Sequence, residues 1–183
     1  MAKQTDSTKD HIILSLAKPY VIGARMQLKR YGEARIICNE DAVLGVYLCM
    51  HEVSTLFEDL NAIVEYFKRT GRIYTDDQLW VDIRHHIRHD LREEFDKDET
   101  RKTNRATRLS MHEHLQGDIR FDTDKIKVGG TEVALYRVEA YLDWANQEIT
   151  QVFQAAIKTG HIKATGSPDT TSASGEDPKP PAK

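Results

Sequence analysis

The sequence has no long hydrophobic run, few cysteines and no excess of basic charge. The longest near-continuous apolar run, Ile12–Ala17, is far shorter than the roughly 20 residues that a bilayer-spanning helix needs. Only two cysteines, Cys38 and Cys49, occur in 183 residues, which excludes a disulfide framework. The net charge of −3 and the pI near 6.2 leave no global basic surface, so any contact with nucleic acid must be local.

Several well-known sequence signatures are also missing. The chain has no Gly-rich phosphate loop, no Cys-x-x-Cys pair, no Gly-x-Ser-x-Gly elbow and no His-Glu-x-x-His zinc motif, so the enzyme classes that depend on them lose support. No cofactor is predicted. Residues 1–10 are polar and lack the basic-then-apolar order of a secretory signal, which favours a cytoplasmic protein with no membrane partner.

The composition is that of one globular domain with a polar tail. Hydrophobic residues make up 39% of the chain and charged residues 30%. Residues 164–183 contain no large apolar side chain whose burial would offset the entropy lost on ordering. We therefore predict a helical bundle domain over residues 1–163 and a disordered C-terminal tail over 164–183.

The segment between Asn39 and Gly71 has the pattern of one long helix. Asn39 is a favourable N-cap, and Glu40 and Asp41 suit the first turn. Apolar residues spaced three and four apart follow on one stripe: Val43, Val46, Met50, Val53, Phe57, Leu60, Val64 and Phe67. This stripe predicts burial, either in the core of an antiparallel bundle or in a coiled-coil-like dimer seam.

Two further helices are predicted near the ends of the domain. Pro19 suits the first turn of a helix that Gly32 would cap, with a short helix at 12–16 before it. The last helix is predicted from about Tyr136 to near Gly160. Its apolar face consists of Val138, Tyr141, Leu142, Ala145, Ile149, Val152, Phe153 and Ala156.

Another helix begins at a capping-box pattern. Thr75 and Gln78 are three residues apart with acids between them, and apolar residues at helical spacing continue to about Phe95. Trp80 lies on the apolar face and is predicted to be a core anchor. The charged segment 96–108 then reads as a solvated extension or loop.

Short strands are predicted between this helix and the last one. Residues 119–121 and 125–128 have strand character, and Gly129-Gly130 suits a hairpin turn into a strand over 132–135. The predicted fold class is therefore all-α. We expect an up-and-down helical bundle with one long helix and a small β-hairpin insertion before the last helix.

The most unusual segment runs from Arg84 to Arg92, where three arginines and three histidines fall within nine residues. Helical spacing places the apolar residues of this region on one buried side. The polar residues are open to three interpretations. The simplest is a solvated helix face with i,i+4 pairs, such as Asp82 with His86.

The second interpretation is a divalent metal site. Imidazoles and carboxylates are common metal ligands, and helical bundles build metal sites from side chains at such spacings. The candidate ligands are Asp82, His86, His89 and Glu93, with His51 on the long helix as an additional ligand.

The third interpretation is a family resemblance. The sequence Arg84-His-His-Ile-Arg-His89 fits the Arg-x4–6-His signature of HEPN domains, and the arrangement of elements over roughly residues 20–160 is similar to that of these small helical bundles. In this family the position after the arginine is commonly asparagine, whereas here it is His85. The resemblance implies a metal-independent endoribonuclease, or an inactive relative, in a defence or toxin-type system.

The resemblance also implies roles for individual residues. His89 would exchange the proton of a ribose 2′-hydroxyl or of the leaving 5′-oxygen, and Arg84 would bind the phosphate oxygens. His85 could assist, and Arg88 and Arg92 could hold RNA phosphates or instead pair with nearby acids.

Partners follow from the same resemblance. HEPN active sites form where two domains pair, which implies a homodimer, an RNA substrate and a regulatory protein partner. The alternative function is a non-enzymatic helical interaction or oligomerisation protein whose long helix forms the partner surface.

Overall fold

The structure, a computed structural model, describes residues 7–96, 119–128 and 130–162. The elements in chain order are α1 (Ser7–Ile37), α2 (Ala42–Arg69), α3 (Asp77–Asp96), β1 (Ile119–Phe121), β2 (Lys125–Val128), β3 (Thr131–Ala134) and α4 (Leu135–Lys158). A helical bundle with a small sheet before the last helix confirms the predicted fold class. The predicted tail lies outside the described residues, as does the predicted charged loop beyond Asp96. No helix among the described residues combines the length and the apolar character needed to cross a membrane.

Helix α2 is the centre of the bundle and packs against α1 and α3. Seven of the eight residues in its predicted stripe are buried, whereas Val43 at the N-terminal end is 50% exposed. Cys49, Leu56 and Ile63 widen the buried face. The stripe is therefore used by the core of the monomer, which confirms the bundle interpretation. It is not available as a dimer seam or as the partner surface of an interaction protein.

Helix α1 differs from the prediction. It runs without interruption from Ser7 to Ile37, with Pro19 inside it, and Gly32 does not end it. Proline removes one backbone donor and crowds the preceding turn, which costs about 3 kcal/mol in a helix interior. Packing offsets this cost, because α1 contacts both α2 and α4. Its buried stripe has helical spacing and consists of Leu14, Ala17, Val21 and Ala24.

The ends of α2 follow the prediction only in part. The N-cap is Asp41, whose Oδ1 accepts a hydrogen bond from the Leu44 amide at 3.0 Å. Asn39, the predicted cap, lies in the turn between α1 and α2 instead. At the other end α2 stops before Gly71 as predicted, and Gly71 has a positive φ of 73° that favours glycine.

Helix α3 also begins differently from the predicted capping box. The Asp77 carboxylate, rather than the Gln78 amide, reaches back, and its Oδ2 accepts a hydrogen bond from the Tyr74 amide at 3.0 Å. The side chain of Gln78 donates to Asp82 at 2.7 Å. Helix α3 itself begins at Asp77.

The three strands form one antiparallel meander in the order β1-β2-β3. Val128 pairs with Thr131, and Gly130 between them has a positive φ of 80°. The third strand starts one residue earlier than predicted, and α4 begins at Leu135. Phe121, Ile126 and Val133 are buried, and β2 contacts α3, so the sheet covers one side of the bundle.

Gly45 of α2 packs directly against the backbone of the turn that follows α1. A Cβ added there would lie 2.5 Å from the Cα and N atoms of Cys38, and backbone atoms cannot easily move away. We expect Gly45→Ala to lower the free energy of unfolding by about 2 kcal/mol, because overpacking outweighs the better helix propensity of alanine.

Gly32 offers a matched control, since nothing lies within 4 Å of a Cβ built there. Gly32→Ala should stabilise the protein by up to about 1 kcal/mol through helix propensity alone. Denaturant unfolding followed by circular dichroism measures both changes. Equal effects of the two substitutions would show that the contact with Cys38 does not restrict position 45.

Candidate active site

The candidate site lies on α3, which is held against the bundle by its apolar side. Trp80, Ile83 and Ile87 are at most 6% exposed. Arg84 follows Ile83 at the margin of this buried face, and its side chain is 25% exposed. Its Nε donates a hydrogen bond to Oε2 of Glu58 on α2 at 3.0 Å. The guanidinium is thus oriented by a neighbouring helix while part of it remains accessible.

The next two residues face solvent. His85 and His86 are both exposed, as is Asp82 one turn before His86. Asp82 accepts the hydrogen bond from Gln78, so its described partner differs from the predicted His86. The polar side of α3 in this region is therefore a solvated helix face. Arg84, which is held by Glu58, lies at the edge of this face.

Helix α3 continues through the remaining candidates as far as Asp96. The side chains of Arg88, His89, Arg92 and Glu93 lie outside the described part of the structure. The helical backbone alone fixes how the two motif positions relate. His89 comes five positions after Arg84, which corresponds to about 7.5 Å along the axis and about 140° around it. The backbone positions of Arg84 and His89 therefore lie on different faces of α3.

The metal interpretation gains no support from the described side chains. Among them, no group of three histidine, cysteine, aspartate or glutamate residues is placed to hold a metal ion. His51 is exposed on α2. The proposed ligands His89 and Glu93 lie beyond the side chains that the structure describes.

Sequence reasoning missed two acidic residues of α2, Glu58 and Asp59. Glu58 contacts α3 through Arg84, whereas Asp59 lies on the α1 side, where a Cβ at Gly23 would be 2.5 Å from its Oδ2. Burial, together with the charge of Glu58, raises the pKa of Asp59 to about 6. The only feature of the sequence that could have indicated them is their position as adjacent acids directly after Phe57, a residue of the predicted buried stripe.

The raised pKa of Asp59 predicts an unusual pH dependence. The unfolded chain loses this proton near pH 3.8, whereas the folded protein keeps it up to about pH 6. The free energy of unfolding should therefore fall as the pH rises between these values. Asp59→Asn removes the cost of ionising a half-buried carboxyl, so the variant should gain about 1–2 kcal/mol over its parent above pH 6 and nothing near pH 4.

Urea unfolding of Asp59→Asn and its parent at several pH values between 4 and 8 tests this expectation. The informative quantity is the difference between the two free energies of unfolding at each pH. A difference that stays constant across the range would contradict the assignment.

Comparison of the chain with protein-family models, with curated proteins and with solved structures finds no match. A functional proposal for this protein therefore depends on the residues of α3 and on the contacts that position them. The chemistry available there is that of an oriented guanidinium beside exposed imidazoles. Such a set can bind an anion and transfer protons.

Proposed function

We propose that this protein is a HEPN-like endoribonuclease, or an inactive relative, that acts on RNA as a homodimer. The observation that carries the proposal is the arrangement of Arg84. Its guanidinium is partly exposed, is oriented by Glu58, and precedes the exposed His85 on the same helix. A phosphate-binding arginine needs this combination of fixed orientation and access.

The proposed chemistry is attack of the ribose 2′-oxygen on the adjacent phosphorus, which forms the P–O2′ bond and breaks the P–O5′ bond. Arg84 donates hydrogen bonds to the phosphate oxygens, where negative charge accumulates in the transition state. His89 takes the proton of the 2′-hydroxyl or protonates the leaving 5′-oxygen, and His85 assists. The reaction does not require a metal, because the nucleophile is already held beside the phosphorus within the substrate.

Helix geometry supports the involvement of two copies. A guanidinium has five N–H donors, so the hydrogen bond from Nε to Glu58 leaves other N–H groups of Arg84 that can bind an anion. The positions of Arg84 and His89, however, diverge by about 140° around α3. A two-fold dimer that brings two α3 helices together would place an arginine of one copy beside a histidine of the other.

RNA binding would be local, since the net charge of the chain is −3. In the proposal Arg88 and Arg92 extend the contact along the RNA backbone, with one phosphate for each guanidinium. The protein would act in the cytoplasm as part of a defence or toxin-type system. A regulatory protein partner would control access to the site.

The proposal is tested by incubating the purified protein with single-stranded RNA of mixed sequence in EDTA. We expect fragments that end in 2′,3′-cyclic phosphate and begin with a 5′-hydroxyl, and a dimer mass by analytical ultracentrifugation. Fragments with 3′-hydroxyl ends would indicate a different mechanism and overturn the proposal. Binding without cleavage would identify an inactive relative. A protein that neither binds nor cleaves RNA would favour a non-enzymatic interaction protein, whose partner surface would have to lie outside the buried stripe of α2.

A further inference from the structure

Both cysteines of the chain meet at the turn between α1 and α2. Cys38 lies directly after α1, and Cys49 lies two turns into α2. Their Sγ atoms are 3.9 Å apart, within hydrogen-bonding distance for thiols, and both are free. Two sulfurs at this distance need to approach by only about 2 Å to form a disulfide.

The backbone holds this pair in place. Gly45 and Cys49 are four residues apart and therefore share a face of α2. Gly45 lets the Cys38 backbone come so close that an added Cβ would be 2.6 Å from the Cys38 Sγ. Cys38 itself lies in a turn rather than inside a helix, so rotation of its side chain can supply the remaining movement.

The two thiols differ in access. Cys38 is half-buried, whereas Cys49 is fully buried. Burial, and secondarily the neighbouring Cys38, raises the pKa of Cys49 to about 12, so this thiol stays protonated and is a poor nucleophile toward peroxide in solution. Small oxidants can therefore reach the sulfur of Cys38 first.

We propose that Cys38 and Cys49 form a reversible, peroxide-sensitive disulfide that locks the α1–α2 hairpin. The Cys38 sulfur attacks one oxygen of hydrogen peroxide, the O–O bond breaks, and a sulfenic acid and water result. The Cys49 sulfur then attacks the Cys38 sulfur. The S–S bond forms, the S–O bond breaks, and the hydroxyl leaves as water with the Cys49 proton. Two thiols and one peroxide thus give one disulfide and two waters, and an external dithiol reverses the oxidation.

The disulfide would change the stability of the protein without depending on the proposed ribonuclease activity. It closes the loop from residue 38 to residue 49 and restricts the unfolded chain. For a loop of this size we expect the midpoint of thermal unfolding to rise by about 6–11 °C.

To test this proposal, the protein is treated with stoichiometric hydrogen peroxide and its remaining thiols are blocked. The protein is then digested with a glutamate-specific protease. Cleavage after Glu33, Glu40 and Glu52 separates the two cysteines into peptides 34–40 and 41–52. We expect these peptides to be joined without reductant and separate with it. The thermal midpoint should rise with oxidation and return on reduction.

Two variants act as controls. In Cys38→Ser the buried Cys49 should survive peroxide unmodified, and in Cys49→Ala, Cys38 should be oxidised without any link within the chain. The proposal is overturned if the wild-type protein gives only sulfinic acid on Cys38, or disulfide-linked dimers. A lower thermal midpoint after oxidation would equally overturn it, since it would show that the fold cannot accommodate the bond.

Discussion

Joint replacement of Arg84 and His89 by alanine is expected to reduce RNA cleavage by at least about 100-fold, because phosphate stabilisation and proton transfer each contribute factors of this size. The fold should survive. The contact between Arg84 and Glu58 involves side chains that are 25% and 38% exposed, and partly exposed ion pairs of this kind are worth about 1 kcal/mol or less. Initial rates on single-stranded RNA in EDTA, with circular dichroism and sedimentation of each variant, measure both effects.

Two comparisons separate the chemistry from a general loss of structure. Arg84→Lys keeps the charge but not the planar fork of donors, so it should retain a small part of the activity. The matched control is Arg120→Ala with His161→Ala, which removes an exposed arginine and an exposed histidine elsewhere in the bundle. If this control loses as much activity as the motif variant, or if the motif variant keeps full activity, Arg84 and His89 do not form the active site.

The pattern of apolar residues was sufficient to locate most of the fold. The stripe of α2 and the face of α4 each predicted a buried side, and the burial of Trp80 confirms its role as a core anchor. The glycine pair predicted the turn between β2 and β3. Gly130 lies in this turn and has the positive φ that glycine adopts easily. Such features are local: each depends on a few neighbouring residues and on the period of the helix or strand.

Features that depend on tertiary contacts were not predictable in this way. Pro19 and Gly32 read locally as helix boundaries, yet α1 continues past both because it packs between α2 and α4. The cap of α2 falls on Asp41 rather than Asn39, since the turn after α1 takes up the residues before it. For Pro19 and Gly32, packing outweighs a local preference of about 1–3 kcal/mol.

The candidate site shows the same limit. The sequence identified Arg84 on an amphipathic helix, but not its partner, because Glu58 is 26 residues earlier on another helix. Periodicity defines which side of a helix is buried, and it contains no information on the axial offset between two helices. The proximity of Cys38 and Cys49 could not be predicted for a related reason. It depends on how closely Gly45 allows the turn after α1 to approach α2.

Replacement of Arg72 by methionine is expected to have the largest effect on stability, a loss of about 3 kcal/mol. Arg72 lies between α2 and α3 and joins the first helix to the last one. Its Nη1 contacts Asp10 of α1 at 2.9 Å, and its Nε contacts Glu148 of α4 at 3.1 Å. Methionine leaves Asp10 without this partner although its side chain is only 10% exposed, and an uncompensated buried carboxylate is costly.

The same argument predicts that removal of the stranded charge restores stability. Asp10→Asn combined with Arg72→Met should recover at least half of the loss, since a neutral amide is easier to bury than a carboxylate. The matched control is Arg25→Met, because Arg25 also joins α1 to α4 through Asp143, but with side chains that are 44% and 63% exposed. It should change the free energy of unfolding by less than about 1 kcal/mol. Equal losses in Arg72→Met and Arg25→Met, measured by urea unfolding, would mean that burial does not determine the strength of these ion pairs.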